Sequence, residues 1–394
     1  MMTLPTCGTT GMNKPKLSIH AAAALFLTAA TLLLLPAVSV RAQEDVPELA
    51  GLTFESKMDP VFAEQFVIWH YDQGYDVIEV KESASYLLVP EDGEVPEDLP
   101  EGMKVIKKPV RNIYLAASSA MSLFGAIDAL DCISLSGIDT DGWYIDNARK
   151  AMEDGRIVFA GKYSQPDYEL LLGSGCGLAV ESTMILHTPK VQEMIELTGI
   201  PVFIDYSSYE DHPLGRTEWV RLYGCLLDKQ KEADTFFVEQ GADIAEMTDY
   251  EKTDLKVAFF SINSQGSAVV RAGSDYIPRM IEMGGGKYAF PELENEESSR
   301  ASVTITMEEF FAGAVDADYL IYNGTIEQSI GSLEDLYELS SLFRDFKAVR
   351  EGRVWAVDKD FYQASGTAGR LILDVHHMLT DEDEDQMTFL KRIQ

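Results

Sequence analysis

The same order of elements appears twice in this chain, and that repetition limits the fold more than any single motif. Residues 112–116, Asn-Ile-Tyr-Leu-Ala, have a buried-strand pattern; small residues Ala117, Ser118 and Ser119 follow, then an apolar helical stretch over 121–130. Further strands are expected at 132–135, 157–159, 178–180 and 201–204, with helices near 166–172 and 191–197 between them. A second series opens with the strand 256–260, the polar loop 261–266 and a helix over 276–283 that stops at Gly284-Gly285-Gly286. A helix over 307–312, strands at 319–322 and 354–357 and a terminal helix over 368–379 complete it. Short apolar strands alternating with helices imply βαβ units and parallel sheets. Between the two series, apolar residues such as Leu222, Leu226, Ala233, Phe236 and Phe237 recur at helical spacing over 217–247, with an expected break across 225–231. Two α/β lobes joined by a helical region place a cleft at the carboxyl ends of the strands, where parallel sheets bind ligands.

Composition narrows the function. The 394 residues carry 32 Lys+Arg against 65 Asp+Glu, a formal net charge of −33. Phosphate neutralisation needs clustered cations, so nucleic-acid binding is excluded. The apolar fraction of 46% excludes a disordered chain. Residues 1–42 read as an export signal: Lys14 and Lys16 precede an apolar stretch over 21–40 broken by Pro36, and Val40-Arg41-Ala42 offers small side chains for cleavage. An uncleaved anchor is the other reading of that stretch. Either places the chain outside the cytoplasm, at the periplasm or cell surface. Cys7 lies ahead of the apolar stretch; Cys132, Cys176 and Cys225 have neither disulfide nor zinc spacing and read as free thiols. Residues 43–105 are expected to form a linker and an extra strand-bearing segment, with a short strand over 86–90 and an exposed loop over 91–102.

Several stretches resemble the substrate-binding proteins of ABC importers, in the class III group that carries ferric siderophores, haem and cobalamin. The run Gly215-Arg216-Thr217-Glu218-Trp219-Val220-Arg221-Leu222-Tyr223-Gly224 resembles the family's entry into its connecting helix. Gly352-Arg353-Val354-Trp355-Ala356-Val357 resembles its C-terminal strand, and His376-His377-Met378-Leu379 the end of its last helix. The resemblance covers roughly residues 105–380 and rests on the order of these stretches, since none is diagnostic alone. It implies two Rossmann-like lobes joined by one long helix: an N-terminal lobe over 106–216, a connecting helical region over 217–252 and a C-terminal lobe over 253–394. It also implies a monomer that has no catalytic residues and no cofactor, carries a metal chelate (a ferric siderophore first, haem or a corrinoid second), and docks on a permease dimer. The family presents one glutamate from each lobe to permease arginines, and the matching positions are Glu169 and Glu308. Helix capping is the competing explanation for acidic residues there, through Thr306-x-x-Glu309 and Ser164-x-x-Asp167.

Strand-end loops supply the ligand candidates. In the first lobe these are Ser118 and Ser119, then Trp143 and Tyr144 as covers for an apolar or aromatic guest, Glu181 and Ser182, and Arg216. In the second lobe they are Asn263, Arg271, Asn323 and Tyr362. Arg216 and Arg271 suit an anionic ligand; internal ion pairs are their other reading. The five His residues beyond the signal include no i, i+4 pair, so a bare metal site is not expected. Asn323-Gly324-Thr325 matches a glycosylation sequon or a plain turn. A secreted hydrolase is the alternative from another class, but the sequence contains neither a Gly-x-Ser-x-Gly elbow nor a His-Glu-x-x-His helix.

Overall fold

Five short strands, β1 (Phe54–Met58), β2 (Phe66–Tyr71), β3 (Asp76–Val80), β4 (Ser85–Pro90) and β5 (Lys104–Lys108), form a sheet in chain order ahead of the first lobe. It is antiparallel except for the parallel β4–β5 pair. The computed structural model describes residues 46–245, 252–294, 302–325, 328–381 and 384–394. The elements named here lie in the unit Pro47–Gln394, and the expected export signal lies outside the described residues. Phe66, Ile68, Ile78, Val80, Tyr86, Leu88 and Ile106 join the same core as the first lobe. Two fully buried glutamates fix the sheet in place. Glu218 accepts the backbone N–H groups of Val61, Phe62 and Ala63 at 2.8, 2.7 and 2.9 Å. Glu210 accepts those of Glu64 and Gln65 at 2.7 and 3.1 Å, and the Trp219 indole N–H at 2.8 Å. Gly215 allows the close approach, since a Cβ there would sit 3.0 Å from the Phe62 carbonyl.

The first lobe runs β6 (Ile113–Leu115), α1 (Met121–Ala126), β7 (Ile133–Ser136), α2 (Asp146–Glu153) and β8 (Val158–Phe159). A two-stranded ribbon, β9 (Gly161–Lys162) with β10 (Gln165–Pro166), leads into α3 (Tyr168–Gly173). Then come β11 (Leu178–Ser182), α4 (Pro189–Leu197) and β12 (Val202–Asp205). Its sheet has the order β12-β11-β6-β7-β8 and is parallel throughout.

The connecting region holds two helices, α5 (Pro213–Leu227) and α6 (Gln230–Ala245). They part at Asp228, a left-handed cap with φ 55°, where the sequence led us to expect a break. The α5 helix is buried on nearly every side and packs into the first lobe. The boundary expected at residue 217 falls inside α5, which also reaches the second lobe through the Thr217–Ser365 hydrogen bond.

The second lobe contains β13 (Lys256–Ile262), β14 (Ala268–Arg271), α7 (Tyr276–Met283), β15 (Lys287–Tyr288), β16 (Ser302–Ile305), α8 (Met307–Ala314) and β17 (Tyr319–Asn323). It continues with α9 (Leu333–Leu339), α10 (Lys347–Arg350), β18 (Val354–Val357), α11 (Arg370–Thr380) and β19 (Leu390–Arg392). Its order is β16-β14-β13-β17-β18-β19, with β15 on the edge of β13. The centre, β13-β17-β18, repeats the parallel core of the first lobe and β15 adds a short parallel pair; β14 is antiparallel to β13, β16 to β14 and β19 to β18. The expected loop 261–266 is thus the turn of a hairpin. Phe260, Phe310, Phe343 and Phe346 stack at 4.6–5.6 Å to form a separate aromatic core on this lobe.

Candidate functional site between the lobes

After β6 the chain enters a 3-10 turn, Ser118–Ala120, that runs directly into α1. Across from it lies the segment following β18, which makes two further 3-10 turns, Phe361–Gln363 and Ser365–Thr367. Polar contacts join the lobes here. The Gly366 N–H donates to Ser122 Oγ at 3.0 Å, and Thr217 Oγ1 to the Ser365 carbonyl at 3.2 Å. The Gln363 amide spans the loop after β7, donating to the Gly142 carbonyl and accepting from the Tyr144 N–H, both at 2.8 Å. The Arg216 guanidinium sits 3.6 Å from the ring centroid of Tyr276 on α7. Beside these bridges a cavity of about 420 Å³ opens between Tyr144 of the first lobe and Ser329, Asp358, Lys359 and Asp360 of the second. That volume is within the usual range for a small-molecule site. A larger cavity, about 600 Å³, lies apart from this seam, between the N-terminal sheet and the first lobe near Ser83, Lys104 and Tyr206.

The expected ligand residues divide into those near the seam and those held elsewhere. Ser118 and Ser119 are half-buried, and Ser119 Oγ lies 3.4 Å from Ser207 Oγ in the turn after β12. Tyr144 lines the cavity, with the Lys359 ammonium 5.4 Å from its ring. Trp143, expected to cover a ligand, is instead fully buried in the first-lobe core, where its indole donates to Ser136 Oγ at 3.0 Å. Arg271 takes the internal ion pair that was its other reading. It grips Asp275 through two bonds of 2.8 and 2.7 Å, with a third to Ser302 Oγ at 2.9 Å, so its charge is neutralised inside the second lobe. Arg216 is only half-buried, but its donors go to the carbonyls of Ser208 and Glu210 at 2.6 and 3.2 Å. Asn263 Oδ1 closes the β13–β14 turn by accepting from Gln265 and Ser267 at 3.0 Å each, which explains an Asn there without a ligand.

Asn323 is buried and donates to the Tyr362 hydroxyl at 3.2 Å, while its Oδ1 accepts from Thr325 Oγ1 at 2.6 Å. The sequon is therefore an internal turn with its amide enclosed. Ser182 caps the 3-10 turn Thr183–His187. Glu181 is unusual: it is fully buried, and neither carboxylate oxygen has a hydrogen-bond partner. Burial pushes its carboxyl up to about 8. Gln363 and the run Asp358-Lys359-Asp360 were missed from the sequence. They directly follow the strand expected at 354–357, so the strand-end rule pointed to them as much as to Tyr362.

No family model matches the sequence. Two curated relatives are uncharacterised lipoproteins of Methanocaldococcus jannaschii. One is 26% identical over 294 residues, covering 71% of this chain and 68% of the relative. The other is 24% identical over 353 residues, covering 84% and 86%. Among solved structures, a periplasmic haem-binding protein of Vibrio cholerae matches with TM-score 0.56 at 14% identity, over 69% of this chain and 99% of that one. A possible iron-binding periplasmic solute-binding protein of Staphylococcus epidermidis gives 0.54 at 15%, over 69% and 99%. A periplasmic vitamin B12-binding protein of Vibrio cholerae gives 0.50 at 14%, over 69% and 98%. The chain has the fold of the class III periplasmic binding proteins.

On this binding-protein fold the two expected glutamates occupy equivalent places. Glu169 is the second residue of α3 and Glu308 the second of α8; α3 feeds β11 and α8 feeds β17, each of which pairs in parallel with its lobe's opening strand. Both glutamates are exposed. Their neighbours do the capping. Asp167 is itself the N-cap of α3, accepting the Leu170 N–H at 3.0 Å, rather than answering Ser164. Thr306 and Glu309 form the expected capping box. Helix-end satisfaction thus leaves Glu169 and Glu308 with no capping task. No helix among the described residues is long and apolar enough to cross a membrane.

Proposed function

We propose that this chain is an extracytoplasmic solute receptor that captures a metal chelate between its lobes and delivers it to an ABC import permease. The ferric siderophores are the first candidate class. The observation that carries the reading is the matched placement of Glu169 and Glu308: one exposed carboxylate per lobe, at the same helix position, released from capping by its neighbours. Permease arginines would pair with both in bidentate geometry, and two contacts on separate lobes register the lobes' relative position. ATP hydrolysis in the transporter drives import, so this chain binds, encloses and hands over. Haem is a second reading, supported by solved neighbours described as haem-binding. The lipoprotein relatives support a station at the outer face of a membrane.

The test is transport in cells whose copy carries Glu169→Arg and Glu308→Arg together. Uptake of the cargo is expected to be lost while the purified variant binds it with unchanged affinity. Unimpaired uptake would remove the docking role.

A further inference from the structure

We infer that the cavity between the lobes selects against anionic chelates and takes a neutral or cationic one, a ferric trihydroxamate type in preference to a ferric triscatecholate or haem. This rests on the receptor reading above and narrows its cargo. The inference comes from where the positive charge near the seam is committed. Arg271 is neutralised by Asp275 and enclosed. Arg216 donates to two carbonyls and stacks on Tyr276. Arg149, next to the loop after β7, places Nε and Nη2 on the Trp143 carbonyl at 3.1 and 2.7 Å.

Among the described residues that line the cavity the cation is Lys359, and it lies over Tyr144 between two carboxylates in sequence, Asp358 and Asp360. Asp358 is ion-paired with Lys391. Asp360 is partly desolvated beside it, and that burial raises its carboxyl. Among the described residues the lining therefore carries no net positive charge to offset an anion. The whole chain, at −33, repels one during approach. A triscatecholate or a haem with its propionates would bring more negative charge against a lining that already holds two carboxylates, which is unfavourable without paired cations. A neutral or cationic chelate meets no such penalty. Tyr144 offers it an aromatic face, and a cationic guest gains from Asp360.

The experiment is an equilibrium titration of the full chain, followed by quenching of tryptophan emission. The probes are ferrioxamine B as the cationic trihydroxamate, ferric enterobactin as the anionic triscatecholate, and haemin. The trihydroxamate is expected to bind about tenfold or more tightly than either anion, a gap of about 1.4 kcal/mol or more. Asp360→Lys, checked for an unchanged melting temperature, is expected to narrow or invert that gap. Equal or tighter binding of an anionic probe overturns the charge selection and leaves the receptor reading standing. Binding of none of the three by a folded chain overturns both.

Discussion

Glu181 shows how much one side chain can bear on stability. Its folded carboxyl titrates at about 8 against an ordinary 4.5, because burial penalises its charged form. The folded state therefore holds the proton more tightly than the unfolded chain. Its contribution to stability is complete below about pH 4.5 and is lost progressively as pH rises through about 8. At neutral pH the penalty is roughly 3 kcal/mol. Glu181→Gln should raise the urea midpoint at neutral pH and leave it almost unchanged at pH 4.5, so the wild-type-minus-variant difference should grow with pH. A pH-independent difference would show that the carboxyl stays ionised in the fold. Tyr144 lies in the loop after β7 as expected, whereas Glu181 sits inside β11 and Arg271 is the last residue of β14. What each side chain does was not legible. Trp143 and Tyr144 are adjacent and chemically alike, yet one fills the core and the other lines the cavity. Arg271 needed its partner Asp275 four residues on, across the turn from β14 into α7.

Among the elements, the N-terminal sheet was the least legible part. Strand β4 was expected at 86–90 and is there, but β2 and β3 are buried on both faces and lack the alternation that marks a half-exposed strand. Short antiparallel strands β14, β16 and β19 were likewise passed over, as were the helices α2, α9 and α10, whereas the longer parallel strands were read to within a residue or two. The sheet's attachment depends on α5. Glu218→Ala removes the acceptor for three backbone N–H groups at once, that of Ala63 buried and those of Val61 and Phe62 partly so. We expect a loss of about 3–5 kcal/mol, measured by urea denaturation. Glu218→Gln keeps an acceptor oxygen and should recover part of it. A surface-like effect in the alanine variant would mean that apolar packing alone holds the sheet.

At the scale of the molecule, the lobes meet through few polar bridges, and Gln363 provides two of them. Replacing it with Ala removes on the order of 2 kcal/mol of interlobe attraction. The expected outcome is a larger radius of gyration by small-angle scattering and faster ligand release, with a melting temperature close to that of the parent. An unchanged scattering profile would place the closing force elsewhere, in the Arg216–Tyr276 stack or the packing around α5.

The two lobes also differ in when their sheets can be finished. The first has every strand of its sheet once Asp205 has been made. The second pairs β18 with β19, and Asp374 anchors that return by accepting the Thr388, Phe389 and Leu390 N–H groups at 2.9, 2.6 and 3.0 Å. During vectorial synthesis the front half can therefore settle while the rear half waits for Leu390–Arg392 to emerge. A nascent chain stalled short of that segment should yield a protease-resistant fragment from the front half alone.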